Sequence, residues 1–268
     1  MTSTAAHIGM ETNSDIVVEA RAGGALWITI QRPRKHNALA AHVLTALAQF
    51  VNEAAARHDA RCIVLTGAGD HFFAAGGDLK ELASVRDIQA TLAMTERGRG
   101  ALDAVRHCPL PVIAMLNGDA IGGGAELALA CDMRMQAAHA RIGFVQAKLA
   151  ITSAWGGGPD LCRTVGGARA MRMMSRCELI DAERALAWGL ADAVITDGPH
   201  GKDVHDFLAP LLACSAHVLR GIKAQIIAWR EGVPYDTARR VEQQQLLNTW
   251  LHDDHWSASD KFLSKGSK

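Results

Sequence analysis

The stretch Asn117-Gly-Asp-Ala-Ile-Gly122-Gly123-Gly124-Ala125-Glu126-Leu127 decides how this chain is read. An apolar run, Pro111 to Leu116, ends just before it and helix formers follow, so three glycines and a carboxylate meet at a strand-to-helix junction. The first amides of a helix have no internal acceptor and the helix dipole adds to their field, so this junction stabilises negative charge.

Outward from the junction the chain alternates. Ala25 to Gln31 is β-rich and is stopped by Arg32-Pro33-Arg34, because proline cannot donate in a central ladder. From Ala40 onward Val43, Leu44, Leu47, Phe50, Val51 and Ala54 recur at helical spacing. Arg61 to Gly67 is a short apolar strand, followed by a glycine-rich loop and a helix over Val85 to His107. Met133 to Ala137 reads as a strand and Ile142 to Val145 as an extended piece, before Ala154-Trp-Gly-Gly-Gly-Pro159 interrupts the chain. Leu161 to Val165, Ala168 to Ser175 and Ala182 to Trp188 read as helices, the last ended by Gly189, and Val194-Ile195 as a short strand. Such alternation predicts an α/β fold with a largely parallel sheet. Residues 1–14 are small and polar and read as a frayed tail, and 15–200 as the core. Residues 201–268 carry apolar stripes without strands and read as a helical cap or an oligomer interface.

Composition narrows the class. With 268 residues, 49% hydrophobic content and a formal charge of zero, the chain can bury a large core, and no basic excess points to nucleic acid or an anionic membrane. No run reaches the roughly 18 apolar residues of a membrane span. Cys62, Cys108, Cys131, Cys162, Cys177 and Cys214 form no C-x-x-C pair and mostly lie in apolar stretches, the pattern of buried thiols in a reducing, cytoplasmic setting.

Nucleotide binding fits poorly. Thr66-Gly67-Ala68-Gly69 follows a strand, but Phe72 stands where the third glycine of G-x-G-x-x-G belongs, and no P-loop motif occurs. A second loop, Phe73-Ala74-Ala75-Gly76-Gly77-Asp78, also follows a strand and opens a helix, with Asp78 placed to cap it. Alone it reads as a tight turn; small side chains would equally let the backbone approach a ligand.

Taken together the segments resemble the crotonase superfamily, the enoyl-CoA hydratase/isomerase family. Gln31-Arg-Pro-Arg-Lys-His-Asn37-Ala38-Leu39 is similar to its N/x-R-P-x-x-x-N-A-L segment, Ile63 to Leu82 to its strand and first oxyanion loop, and Asn117 to Arg134 to its N-G-x-A-x-G-G-G-x-E-L-x-x-x-C-D segment. The closing Phe262-Leu-Ser-Lys265 is similar to its F-x-x-K, so the resemblance runs from about residue 16 to 265. It implies a spiral of repeated ββα units and a C-terminal helical region that builds trimers, commonly paired into hexamers. The substrate it implies is an acyl-CoA thioester, with coenzyme A entering as part of the substrate and no separate cofactor or metal. The backbone amides of Gly77 and Gly123 would hold the thioester enolate. Lys35, Ala38, Leu39, Ala75, Asp78 and Lys265 would border the CoA, the two lysines as phosphate contacts or simply as solvated surface charge.

The acid–base residues depart from the hydratase pattern. Glu126 matches the first hydratase glutamate, but an ungapped count from Cys131-Asp132 puts Gln146 at the second. An amide orients a water but exchanges no proton at accessible pH. Double-bond isomerisation, which the resemblance assigns chiefly to that second carboxylate, is thereby disfavoured. Decarboxylation of a malonyl-type acyl-CoA needs only the oxyanion hole, and Phe144-Val145-Gln146 through Ser153-Ala154-Trp155-Gly156-Gly157 looks closer to an ethylmalonyl-CoA decarboxylase-like branch. An ionised Glu126 would repel the substrate carboxylate, so hydration with Glu126 as sole carboxylate stays open, as does a non-catalytic acyl-CoA-binding protein. His252-Asp253-Asp254-His255 offers metal-ligand residue types, but with no distant third ligand it reads as a solvated charge run. His71 is either an exposed loop histidine or a proton shuttle, and Trp155 either walls the acyl pocket or fills core.

Overall fold

The computed structural model describes residues 15–266, so the expected tail at 1–14 lies outside the described residues. In chain order the elements are β1 (Ile16–Arg21), β2 (Ala25–Ile30), α1 (Ala41–Ala56), β3 (Cys62–Gly67), β4 (Phe72–Ala74), α2 (Leu79–Leu82), α3 (Ile88–His107), β5 (Val112–Leu116), β6 (Asp119–Ile121), α4 (Gly123–Ala130), β7 (Met133–Ala137) and β8 (Arg141–Gly143). There follow α5 (Gly157–Val165), α6 (Gly167–Arg176), β9 (Ile180–Asp181), α7 (Ala182–Trp188), β10 (Ala193–Ile195), and four helices: α8 (Lys202–Leu212), α9 (Ala216–Arg230), α10 (Tyr235–Trp250) and α11 (Asp253–Gly266).

Two sheets result. The larger runs β1-β2-β3-β5-β7-β10, parallel except for the β1–β2 hairpin. Its strands are covered on both sides, and their side chains split by the period of two. Leu26, Ile28, Ile63, Leu65, Val112 and Ala114 face one hydrophobic cluster with α1 and α3, while Trp27, Val64, Ile113 and Met115 face another closed by Val204 and Leu208 of α8. The smaller sheet, β4-β6-β8-β9, is built from strands of two or three residues. Successive β3-β4-α3 and β5-β6-α4 segments give the repeated ββα turn. No single helix among the described residues is long and apolar enough to cross a membrane.

Most expected elements stand within a few residues; β9 is too short to have been read, and other differences are instructive. β1 was not anticipated, and β4 and β6 lie inside stretches read as glycine loops, because three residues are too few for an alternation to show. The piece expected as extended over Ile142 to Val145 ends at Gly143 and turns into a 3-10 helix over Gln146–Leu149. Of the cysteines, Cys62, Cys108 and Cys131 are buried as read, and burial pushes the Cys62 and Cys131 thiols up to about 12, whereas Cys162 is exposed.

Candidate active site

Two very short strands assemble the site. β4 pairs with β6 in parallel, Phe72 opposite Asp119 and Ala74 opposite Ala120, so the chain leaves both strands at the same sheet end. One exit is Ala75-Gly76-Gly77, the other Gly122-Gly123. β8 pairs with β6 on its other side, Ile121 opposite Gly143, and the Gly122 amide donates to the Gly143 carbonyl at 2.9 Å. The exit from β8 therefore delivers Gln146 beside the same glycines.

Two buried asparagines fix the first loop. Asn117 accepts from the Gly67 amide at 2.8 Å and donates to the Gly69 and Phe72 carbonyls, while Asn37 donates to the Ala68 and Phe72 carbonyls. Each thus satisfies backbone groups that the sharp turn leaves without ladder partners. Gly76 sits at φ 92°, and a side chain there would press on the Ile121 carbonyl and the Gly123 amide, at 3.1 and 3.2 Å. Gly122, at φ 57° and ψ −118°, turns the chain into α4 in a conformation that only glycine adopts at low cost.

Gly77 and Gly123 remain partly accessible, and among the described residues neither amide donates to another group. Gly123 is the first residue of α4, so its free amide follows from helix geometry. Both line a cavity of about 760 Å³ together with Ala75, Leu82, Met94, Gln146 and Trp155. Among its described lining residues Glu126 is the one ionisable side chain.

Glu126 is 3% exposed and already hydrogen-bonded from within the chain. Oε2 accepts from the amides of Trp155 and Gly157 at 2.9 and 3.0 Å, and Oε1 accepts from Gln146 Nε2 at 3.1 Å. Burial raises its carboxyl above the ordinary range, and these N–H donors oppose the rise without cancelling it. The Gln146 Oε1 atom is buried with no partner among the described residues. The Trp155–Gly157 turn is held in its own right: Arg106 donates to the Trp155 carbonyl at 2.9 Å and pairs with Asp160 at 2.8 Å.

Sequence reasoning places Gly77, Gly123, Glu126 and Gln146 in one site, and the structure brings these four together. The border residues divide. Ala75 lines the cavity; Leu39 is buried, its amide donating to the Gly76 carbonyl at 2.8 Å, and the Ala38 carbonyl accepts from Arg32. Asp78 caps α2 and pairs with Arg32 at 3.2 Å, which commits its carboxylate within the fold. Lys35 is exposed in the turn before α1, and the side chain of Lys265, in the last turn of α11, is outside the described residues. His71 is exposed and does not line the cavity.

The sequence missed the backbone amides of Trp155 and Gly157 as ligands of Glu126, and the Arg106–Asp160 pair that fixes them; the A-W-G-G-G break was the available signal. It also missed a third histidine beside the His252–Asp254 run. His217 lies with its ring stacked on His252, centroids 3.7 Å apart and planes 23° apart, and the nearest ligand atoms of His217, His252 and Asp254 fall within 4.8 Å of one another. In-plane lone pairs of nearly parallel rings run side by side, so one ion cannot sit at the ordinary ~2.1 Å from both without a ring turning.

The sequence profile described as enoyl-CoA hydratase/isomerase matches residues 20–268. The Bacillus subtilis protein YngF is 38% identical over 242 residues, covering 89% of this chain and 91% of that protein. Ethylmalonyl-CoA decarboxylase of Gallus gallus is 29% identical over 226 residues, covering 83% and 75%. The crystal structure of enoyl-CoA hydratase from Bacillus anthracis superposes with a TM-score of 0.87 at 28% identity, over 94% of this chain and 97% of that one. With the spiral of ββα turns, the terminal helices and the paired glycine loops, these likenesses make the chain a member of the enoyl-CoA hydratase/isomerase family, the crotonase superfamily.

Proposed function

We propose that the protein is an acyl-CoA lyase that decarboxylates a malonyl-type acyl-CoA. The observation that carries this reading is the state of Glu126: the one carboxylate among the described residues lining the cavity already accepts three N–H groups of the protein itself. What the site then offers a thioester is two free amides and an apolar wall. The bond from the α-carbon to its carboxylate breaks and its electron pair passes into the thioester, placing negative charge on the carbonyl oxygen between the Gly77 and Gly123 amides. Carbon dioxide leaves, and the α-carbon later takes a proton from water. No base is needed, and a largely apolar wall favours loss of a charged, desolvated carboxylate. Burial, which raises the Glu126 carboxyl, favours its neutral form and so reduces the repulsion that it would otherwise exert. Likeness to an ethylmalonyl-CoA decarboxylase adds support.

A second reading rests on Gln146 Oε1, a buried acceptor without a partner among the described residues. With Glu126 Oε1 it can hold a water, which favours hydration of a 2-enoyl-CoA, and likeness to an enoyl-CoA hydratase is consistent with that. Glu126→Gln separates the two. With ethylmalonyl-CoA or methylmalonyl-CoA, mass spectrometry should show loss of carbon dioxide by the wild type and by the variant, within about tenfold of each other. If crotonyl-CoA instead gains water rapidly, and the variant loses that activity by about 10²-fold or more, the decarboxylase reading is wrong. Binding of acyl-CoA with background turnover of every thioester would favour a non-catalytic binding protein.

The proposal extends to a homotrimer, alone or paired into a hexamer, working in the cytoplasm with coenzyme A phosphates near Lys35 and Lys265. Exposed apolar side chains on α9 and α10, Ile222, Trp229, Leu246 and Trp250 among them, are what supports a subunit interface there. Light scattering on the purified protein should give three or six chain masses; a stable monomer at micromolar concentration refutes the assembly.

A further inference from the structure

Trp155 occupies a position that neither the hydratase pattern nor the oxyanion chemistry requires. It is 6% exposed and lies where side chains at Gly98 of α3 and Gly123 of α4 would go, and near Gly77 of the first loop. A side chain at Gly98, in the middle of α3, would overlap the Nε1 edge of its indole, and one at Gly123 would overlap the six-membered ring at Cζ3. A Cβ at Gly77 would lie 3.8 Å from Cη2. The indole therefore spans from α3 toward the two cavity-lining glycines, its benzo edge on the side of Gly123 and Gly77. A glycine inside a helix is unfavourable relative to alanine, so Gly98 has a packing reason, which is to seat this ring.

The ring has little freedom to swing away. Its backbone amide donates to Glu126 and its backbone carbonyl accepts from Arg106, which Asp160 and Asp103 hold in turn. Leu82 and Met94 form adjacent parts of the cavity wall and are flexible, whereas the indole is rigid and fixed at both its ring and its backbone. A thioester carbonyl that reaches the two amides must place its α-carbon, and whatever the α-carbon bears, against this ring.

We propose that Trp155 is the residue that selects acyl size in this protein, restricting the site to short acyl groups with at most a small α-substituent. The proposal rests on the acyl-CoA reading above and holds for either decarboxylation or hydration, because it concerns the wall and not the bond that breaks. Rejection of longer chains follows from steric overlap with a rigid ring, and one methylene too many against an apolar wall is worth about tenfold or more.

Saturated acyl-CoAs, which neither lose carbon dioxide nor add water, test the proposal apart from the chemistry. Affinities of acetyl-, butyryl-, hexanoyl- and octanoyl-CoA are measured by calorimetry on the full-length protein and on Trp155→Phe and Trp155→Leu. The wild type should bind butyryl-CoA and weaken by about tenfold or more at octanoyl-CoA, and Trp155→Leu should reverse that order, read as the ratio within each protein so that any overall change in CoA affinity cancels. Trp155→Phe, which keeps an aromatic fill over Gly98, should fall between and carries the test if the leucine variant fails to fold. An octanoyl-to-butyryl ratio unchanged in folded variants overturns the proposal and leaves the acyl-CoA reading standing. Failure of every acyl-CoA to bind the wild type overturns that reading, and the proposal with it.

Discussion

Replacing Gly77 with proline is expected to lower turnover of the protein's thioester substrate by about 10²- to 10³-fold, the effect of losing one oxyanion donor, near 3 kcal/mol. Proline deletes the amide hydrogen and sets its ring Cδ methylene where that hydrogen pointed, so donor and oxygen site are lost together. Gly77 lies outside any regular element, and the side chain nearest to a new Cβ is the flexible end of Leu82, at 2.8 Å. The partner donor, Gly123, is a poorer place for the experiment, because any side chain there collides with Trp155 and confuses loss of the amide with loss of space. The loss should appear in kcat/KM, since on the proposed reading the two amides serve charge that develops on the oxygen during reaction. Retained turnover in a folded Gly77→Pro protein would remove this amide from the oxyanion hole. Thermal unfolding of the variant supplies the control for folding.

The largest expected loss of stability comes from Asp132, which follows α4 directly and ties the terminal helices to the core. Its carboxylate accepts from Lys223 Nζ at 2.6 and 2.7 Å, pairs with Arg230 at 3.0 Å and caps the Val112 amide at 2.8 Å. Lys223 is 2% exposed, so Asp132→Ala leaves an ammonium group buried without its counterion. Removing one partner of such a pair costs about 3–5 kcal/mol, which should lower the melting temperature by roughly 10 °C. An Asp132→Leu, Lys223→Met double variant should recover most of the loss, because the cost lies in the uncompensated charge more than in the pair. A single variant that melts within 2 °C of the wild type, roughly the scatter of a surface substitution, would show that Lys223 finds other solvation.

Much of this molecule was legible as sequence. Helices α1, α3 and α7 and strands β3, β5 and β7 are long or periodic enough that spacing alone located them to within a few residues. The Asn117–Leu127 segment was readable as a strand-to-helix junction that stabilises negative charge, because the first amides of a helix have no internal acceptor. Gly77, Gly123, Glu126 and Gln146 were likewise readable as one candidate set. The strands β4 and β6 were not, since three residues carry no period, and they are recognised only by the hydrogen bonds that pair them.

Those pairings explain the division. Local sequence determined which segments are strands, helices and glycine turns, because backbone preference and apolar period act over a few residues. It also determined that a glutamine stands where a second carboxylate would. Tertiary structure alone decided that Glu126 is occupied, through amides of Trp155 and Gly157 some thirty residues away, and that the Trp155 ring lies across Gly98 and Gly123. It also decided that Arg106 and Asp160 brace the turn between them. Hydrogen bonds and van der Waals contacts act between atoms a few ångströms apart regardless of their separation along the chain, and that distance exists only once the sheets have set the loops side by side.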